Sequence, residues 1–496
     1  VSVSEAIQIL FVRAADEFAP CADYVMRTFA RWIGWPLQIA DFSERTQALR
    51  AGDPPVVEVL YATEEDISQA KAPTPAQPRP KLTVWVERSR FFGPNFLVLP
   101  DLPEAPAALL EAANRDGFRK YVERGEAGTL KLSLDLVAAA FWFLSRYEEY
   151  VVSTPDAHGR FLCAHSILGP EFYEEPLVNR WFERIEEMIL GGIGRAPAGP
   201  ETEQVPTFVL THDVDVLRKY RGLSGLRRTV GAMMRGNARE ATSEIRMASL
   251  VLAGLRRDPY DSFDDLFALK ERLGAPSTFY LMGGGSAPLD CDYRLEDQPI
   301  RELFMRISAN GDELGLHPSY ETFRSPELIA QEARALAEAS GQELVGARQH
   351  YLRIALPETW YALAQAGLRY DASLGFADRA GFRCGWSGCF RPFDLEKRQE
   401  VPMVELPLVV MDMTLAVYEN IPSQLALERL AKLLAASATR GGAFVLLWHN
   451  TLNDKRMFPG YWDTFEYFVF ASAGSVRFET AARLCEAYEL RLVNVG

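Results

Sequence analysis

The sequence predicts an α/β protein built on a parallel sheet, and three observations carry that prediction. Short apolar runs recur through the second part of the 496-residue chain: TFVLT, STFYLM, ELGLH, LVGARQHY, YDASLGF, MVELPLVV, AFVLLWH and LRLVNV. Helical patterns lie between most of them, among them SFDDLFALKERLG, SPELIAQEARALAEASG, LPETWYALAQAG and SQLALERLAKLLAASATRGG. Several of these patterns stop at glycine, which ends helices because it alone enters the left-handed region freely. Continuous apolar strands alternating with helices imply a parallel sheet covered by helices. Seven or eight such units, as counted here, predict closure into a barrel.

The first part of the chain reads differently. VVEVLYA and KLTVWVE are strand-like, and APTPAQPRP at Ala72–Pro80 is a proline-rich surface loop. LSLDLVAAAFWFLSRYEEYV predicts a helix with a broad apolar face. GGIGRAPAGPETEQ, Gly191–Gln204, is rich in Gly and Pro without hydrophobic periodicity, as linkers are. These features divide the chain into an N-terminal α/β or α+β domain over residues 1–190, a linker over 191–204 and the barrel over 205–496.

Composition excludes some classes. With 48% hydrophobic and 24% charged residues the chain is globular rather than disordered. A net charge of −14 argues against general nucleic-acid binding. The longest apolar run, Leu136–Leu144, is far shorter than the ~20 residues of a membrane-spanning helix. The N-terminal residues lack the basic start of a signal peptide, so a cytoplasmic location is expected. Six cysteines without a CxxC pair read as reduced thiols, with Cys384 and Cys389 near enough in sequence to bridge if oxidised. Against the acidic background, Arg218–Arg239 carries seven basic residues and no acidic ones. It is a solvated helical insertion or a contact for anionic lipid or a lipid-linked phosphate.

Chemistry concentrates at strand ends, where α/β barrels place it. TFVLT runs into His212, Asp213 and Asp215; ELGLH ends at His317; LVGARQHY ends at Arg348 and His350; AFVLLWH ends at His449. Four of the six histidines thus stand at predicted strand ends. Asp213 and Asp215 are two residues apart, so in extended backbone both carboxylates share a face. They repel unless a cation or proton intervenes. A divalent cation meets that need, and imidazole with carboxylate suits zinc. His158 and His165 read as isolated histidines. MGGGS at Met282–Ser286 lacks the following Lys of a phosphate loop and reads as a tight turn. Trp360, Trp386, Trp448 and Trp462 are core residues or sugar-stacking surfaces. GFRCGWSGCFRPF is a long loop whose Arg383 and Arg391 would line a pocket.

THDVD, GLHPSY, RQHYLR, YDASLGF and LLWHN, in this order, resemble the successive motifs of the polysaccharide deacetylase (NodB-homology) family of carbohydrate esterases. The resemblance runs from about Pro206 to the C-terminus, and LSRYEEY followed by DAHGRF resembles a poorly characterised domain found before such deacetylases. It implies a distorted (β/α)7–8 barrel and metal-dependent removal of an N-acetyl group from a sugar. It implies roles too: Asp213 as base, His317 as the first metal histidine, Arg348 as the arginine orienting the base, the Tyr351 amide as an oxyanion donor and His449 as the acid. Asp371 or Asp412 would supply the carboxylate that keeps His449 protonated. The sequence departs from the family in having Val214 where a second aspartate is usual and Glu321 where a second metal histidine is usual. Asp215, His317 and His350 are therefore the expected ligands, with Glu321 or His212 as alternatives. The expected activity is a carbohydrate N-deacetylase acting on an N-acetylated sugar or glycan precursor. The rival is a non-catalytic glycan- or precursor-binding protein on a decayed deacetylase scaffold.

Overall fold

A computed structural model describes residues 7–49, 56–69, 79–98, 102–125, 128–152, 154–196, 205–220 and 238–495. Most of the proline-rich loop, residues 197–204 of the expected linker and residues 221–237 of the basic run lie outside them.

Two sheets organise the chain. The first has six strands: β1 (Ile9–Arg13), β2 (Leu37–Asp41), β3 (Val57–Ala62), β4 (Leu82–Glu87), β5 (Val122–Arg124) and β6 (Thr129–Leu132). Their order is β2-β1-β3-β4-β6-β5, parallel except for the edge pair β5–β6. Against it packs the helix Leu136–Leu144, whose nine residues are all buried. The expected amphipathic helix is thus a core helix. Asp135 caps its start by accepting from the Ala138 amide, and the chain breaks at Arg146, where φ is 56°, before a second helix, Tyr147–Val151. Each buried aromatic of LVAAAFWFL contributes roughly 1.5–3 kcal/mol of hydrophobic stabilisation. The helix Leu177–Gly192 runs into the first two residues of the expected linker.

The second sheet comprises β7 (Thr207–Val214), β8 (Ser277–Leu281), β9 (Glu313–Leu316), β10 (Gly346–Ala347), β11 (Tyr370–Asp371), β14 (Val404–Glu405), β15 (Val410–Met411) and β16 (Ala443–Leu447). Between β11 and β14 a hairpin of β12 (Phe393–Asp394) and β13 (Gln399–Glu400) stands apart, and β17 (Arg477–Phe478) adds to the start of β7. The path is β14-β11-β10-β9-β8-β7-β16-β15, with every pair parallel. Followed around, this is sequence order with one opening, because β14 and β15 are not paired among the described residues. The expected closed barrel is therefore an open, curled sheet. MVELPLVV, expected as one strand, splits into two where Pro407 has no N–H to give a ladder. LRLVNV, expected as a strand, is the end of the helix Ala481–Val495.

The two sheets share one hydrophobic cluster, which runs from Ile9 and Phe11 of β1 through Phe141 and Trp181 to Phe208, Phe279 and Trp448. Phe393 of β12 lies 5.3 Å from Phe141 and 4.7 Å from Tyr24, ring to ring. Arg383 ion-pairs with Glu149 at 2.6 Å and reaches the Gly375 carbonyl, so it braces this junction and does not line a pocket. Arg391 does line a cavity, 3.8 Å from Glu489 and beside Arg31, Arg369 and Glu400. Trp360, Trp386, Trp448 and Trp462 are all buried, which removes them as sugar-stacking surfaces. All six cysteines are free; Cys389 lies 3.7 Å from Cys485 rather than beside Cys384. Among the described residues no helix is long and apolar enough to cross a membrane.

Candidate metal centre

The site stands at the C-terminal ends of β7, β9, β10 and β16. Asp213 pairs with Tyr280 of β8 one residue before the register ends at Val214–Leu281, and Val214 turns fully into the core. Alternation then brings Asp215 to the same side as Asp213. His317 follows β9 directly, and its amide donates to the Leu281 carbonyl at 2.8 Å. The turn leaving β8 is the MGGGS segment, where a Cβ on Gly283 would lie 2.0 Å from the Glu332 carbonyl oxygen. Only glycine fits there, so the tight-turn reading accounts for this segment.

Asp215, His317 and His350 offer ligand atoms that all lie within 4.8 Å of one another, a group able to hold a metal ion. His317 Nε2 is 3.2 Å from Asp215 Oδ1 and 3.1 Å from His350 Nδ1, and His350 Nδ1 is 3.5 Å from the same carboxylate oxygen. The far nitrogens fix the tautomers. His317 Nδ1 faces the Arg348 carbonyl at 2.6 Å, and His350 Nε2 faces the Leu289 carbonyl at 2.8 Å. A carbonyl only accepts, so both far nitrogens carry the hydrogen. The near nitrogens of the neutral rings then aim lone pairs at each other and at Asp215, whose Oδ1 is buried without a hydrogen-bond partner. With both rings neutral, three acceptors converge on one point, an arrangement that a proton on His317 or a metal cation satisfies, and the donor set fits a divalent metal.

The charges answer the same need. Burial opposes a charge on His317, but Asp213 and Asp215 outweigh it and raise its pKa. Burial lowers that of His350 despite Asp215. Burial would raise Asp215, yet His350, His317 and His449 hold it far below the usual carboxylate range.

Two further groups flank the trio. Arg348, fully buried, donates from Nη1 to Thr211 Oγ1 at 2.6 Å and to Asp213 Oδ1 at 3.2 Å, and from Nε to the Ala372 carbonyl at 2.9 Å. Asp213 Oδ2 is left facing the trio, 3.8 Å from His317 Nε2. His449 Nδ1 pairs with Asp412 Oδ1 at 2.7 Å, while its Nε2 lies 3.7 Å from Asp215 Oδ2. Burial disfavours the imidazolium, but Asp412 outweighs it and lifts the His449 pKa to about 10. Of the two carboxylates expected beside His449, Asp412 is the partner. Asp371 instead accepts from the Ser373 hydroxyl, and burial raises its pKa and that of its neighbour Glu405.

The alternative ligands fall away. Glu321 points outward, 3.9 Å from Arg353 with 71% of its side chain exposed. His212 alternates to the other face of β7, where Nδ1 meets the Trp448 carbonyl at 2.7 Å; burial holds its pKa down to about 4. Tyr351 follows His350 with φ at 60°, its ring 4.7 Å from the His350 ring. Sequence reasoning missed Thr211, and it missed the Asp156–Arg160 turn, whose His158 and Arg160 reach Tyr320, Tyr351 and Tyr418. The DAHGR spacing was the available signal, since Asp156 Oδ1 accepts from the amides of both His158 and Arg160. Lys219 of the basic run is buried against Asp454 at 2.6 Å and Glu244 at 3.2 Å, so that residue is not part of a solvated surface.

Residues 13–191 match a protein family described as of unknown function (DUF7033). No curated protein sequence matches the chain. Among solved structures, a Mycobacterium smegmatis protein provisionally described as a polysaccharide deacetylase is similar at 17% identity and a TM-score of 0.39, over 60% of this chain and 94% of that one. A CE4-family pseudoenzyme from Bacillus anthracis is similar at 11% identity and a TM-score of 0.29, over 58% and 66%. The peptidoglycan deacetylase PdaC of Bacillus subtilis is similar at 12% identity and a TM-score of 0.28, over 60% and 96%.

Proposed function

We propose that this chain is a metal-dependent hydrolase that removes the N-acetyl group from a sugar of a polysaccharide or glycan precursor, with residues 205–496 as the deacetylase-like unit and residues 1–190 as an accessory region. The observation that carries the reading is the cluster in which Asp215, His317 and His350 offer ligand atoms to one point, flanked by a braced carboxylate and an imidazole paired with Asp412. Asp215, His317 and His350 would hold the ion. A divalent cation in that position supplies Lewis-acid polarisation of the acetyl carbonyl and acidifies a water.

The chain's own residues do the rest. Arg348 fixes Asp213 through Oδ1, so that Oδ2 takes a proton from the attacking water. The water oxygen forms its bond to the acetyl carbon, and the amide hydrogen of Tyr351 donates to the developing oxyanion. His449, kept protonated by Asp412, gives its Nε2 proton to the sugar nitrogen as the C–N bond breaks. Acetate and the free amine leave. An acid and a base stand on separate sides of one ion site, an arrangement that simple glycan binding does not need. Purified protein loaded with zinc is expected to release acetate from N-acetylglucosamine oligomers. Stoichiometric zinc with no acetate released from any of a panel of N-acetylated sugars would favour the binding-only alternative instead.

A further inference from the structure

We propose that the Asp156–Arg160 turn is a brace for the loop that carries His350 and Tyr351, so that the N-terminal region positions the site; the inference rests on the deacetylase reading for its kinetic arm only. Tyr351 and Leu352 are consecutive non-glycine residues with φ of 60° and 54°. Side chains with a Cβ are disfavoured there, so surrounding contacts must hold them. The contacts come from far away in sequence. Arg160, 4% exposed, donates from Nη1 to the Tyr351 carbonyl at 3.1 Å and from Nη2 to the Tyr418 hydroxyl at 2.9 Å. Asp156 locks that guanidinium, taking Nε at 3.0 Å and Nη2 at 2.8 Å on one oxygen.

The link is reciprocal. Arg353, from the loop, donates from Nε to the His158 carbonyl at 2.9 Å and stacks 3.9 Å above the Tyr320 ring. The His158 ring lies 4.7 Å from that of Tyr351, and its Nδ1 meets the Tyr320 hydroxyl at 2.9 Å. Each segment thus holds a backbone carbonyl of the other through an arginine. His350 is both a metal-ligand candidate and the residue before Tyr351, so a shift here moves ligand and oxyanion donor together. Arg160 is a positioning residue: it touches Tyr351, not the reacting atoms.

Hydrogen exchange on the full chain tests this without turnover. In Arg160→Ala, the amides of residues 350–353 should exchange about tenfold faster while those of β7 and β16 keep their wild-type rates. Arg353→Ala should reproduce the effect from the other side of the link. If the wild type deacetylates N-acetylglucosamine oligomers, kcat of Arg160→Ala should fall about 100-fold with KM nearly unchanged, since small misplacements of reacting groups cost that much. Millimolar guanidinium, but not equal sodium chloride, should restore part of the rate. Unchanged exchange at 350–353 in both variants, or faster exchange spread through both sheets, overturns the brace. A wild type that releases no acetate removes the deacetylase reading, while the exchange result still decides the brace.

Discussion

Both large sheets are mainly parallel, yet their strands end in opposite chemical conditions. In the first sheet, Arg13, Arg88 and Asp135 at strand ends each meet a complement. Arg13 at the end of β1 holds both oxygens of Asp23 at 3.0 and 2.9 Å, Arg88 after β4 meets Asp16 at 2.6 Å, and Asp135 accepts from Tyr61, Ser89 and Ala138. In the second sheet, the ends of β7, β9 and β10 bring Asp215, His317 and His350 together around one point, with Asp215 Oδ1 buried there. Similar backbone architecture therefore carries structure in one place and a candidate site in the other. What separates them is whether the polar groups satisfy one another.

The largest effect expected from that contrast is at the base. Asp213→Asn keeps the size of the side chain and a bond to Arg348 but cannot take a proton, so acetate release should fall by about 10³-fold or more. The melting temperature should stay near that of the wild type, because Asn still accepts from Arg348. Activity retained in this variant would break the assignment.

Next comes the acid. If His449 is the acid, as proposed, it acts while protonated; its pKa is raised to about 10, so activity should fall as pH rises through that value. Asp412→Asn removes the charge that raises it. The alkaline limb of the kcat profile should then move down by at least about one pH unit. An unmoved limb would separate Asp412 from His449 in function.

The smallest effect lies in the first sheet. Arg13→Met leaves Asp23 partly buried without its partner and should cost about 1–3 kcal/mol in denaturant unfolding. The kcat for acetate release should not change. A loss of activity equal to that of the Asp213 variant would erase the distinction between the two sheets.

Much of this was legible in the chain before the fold. The long strands β7, β8 and β16 are continuous apolar runs, and the histidines that follow strands mark the site without any coordinates. What the sequence left open has physical causes. LVGARQHY, YDASLGF and MVELPLVV do contain strands, but β10, β11, β14 and β15 have only two residues each, so their bounds and the break in MVELPLVV leave no period to read. LRLVNV looks like a strand because its apolar residues alternate, but it continues a helix that starts at Ala481. Asp371 and Asp412 both follow apolar runs, and only packing chooses between them. His158 looked isolated because its partner Tyr320 is 162 residues away, and Arg160 drew no reading because Tyr351 is 191 residues away.

Calorimetric titration of zinc into the purified chain addresses the central claim most directly, with His317→Ala and Asp215→Ala measured alongside. The account predicts one zinc per chain in the wild type and loss of that binding in both variants. Zinc bound equally well by the variants, or not bound by the wild type at all, would contradict it.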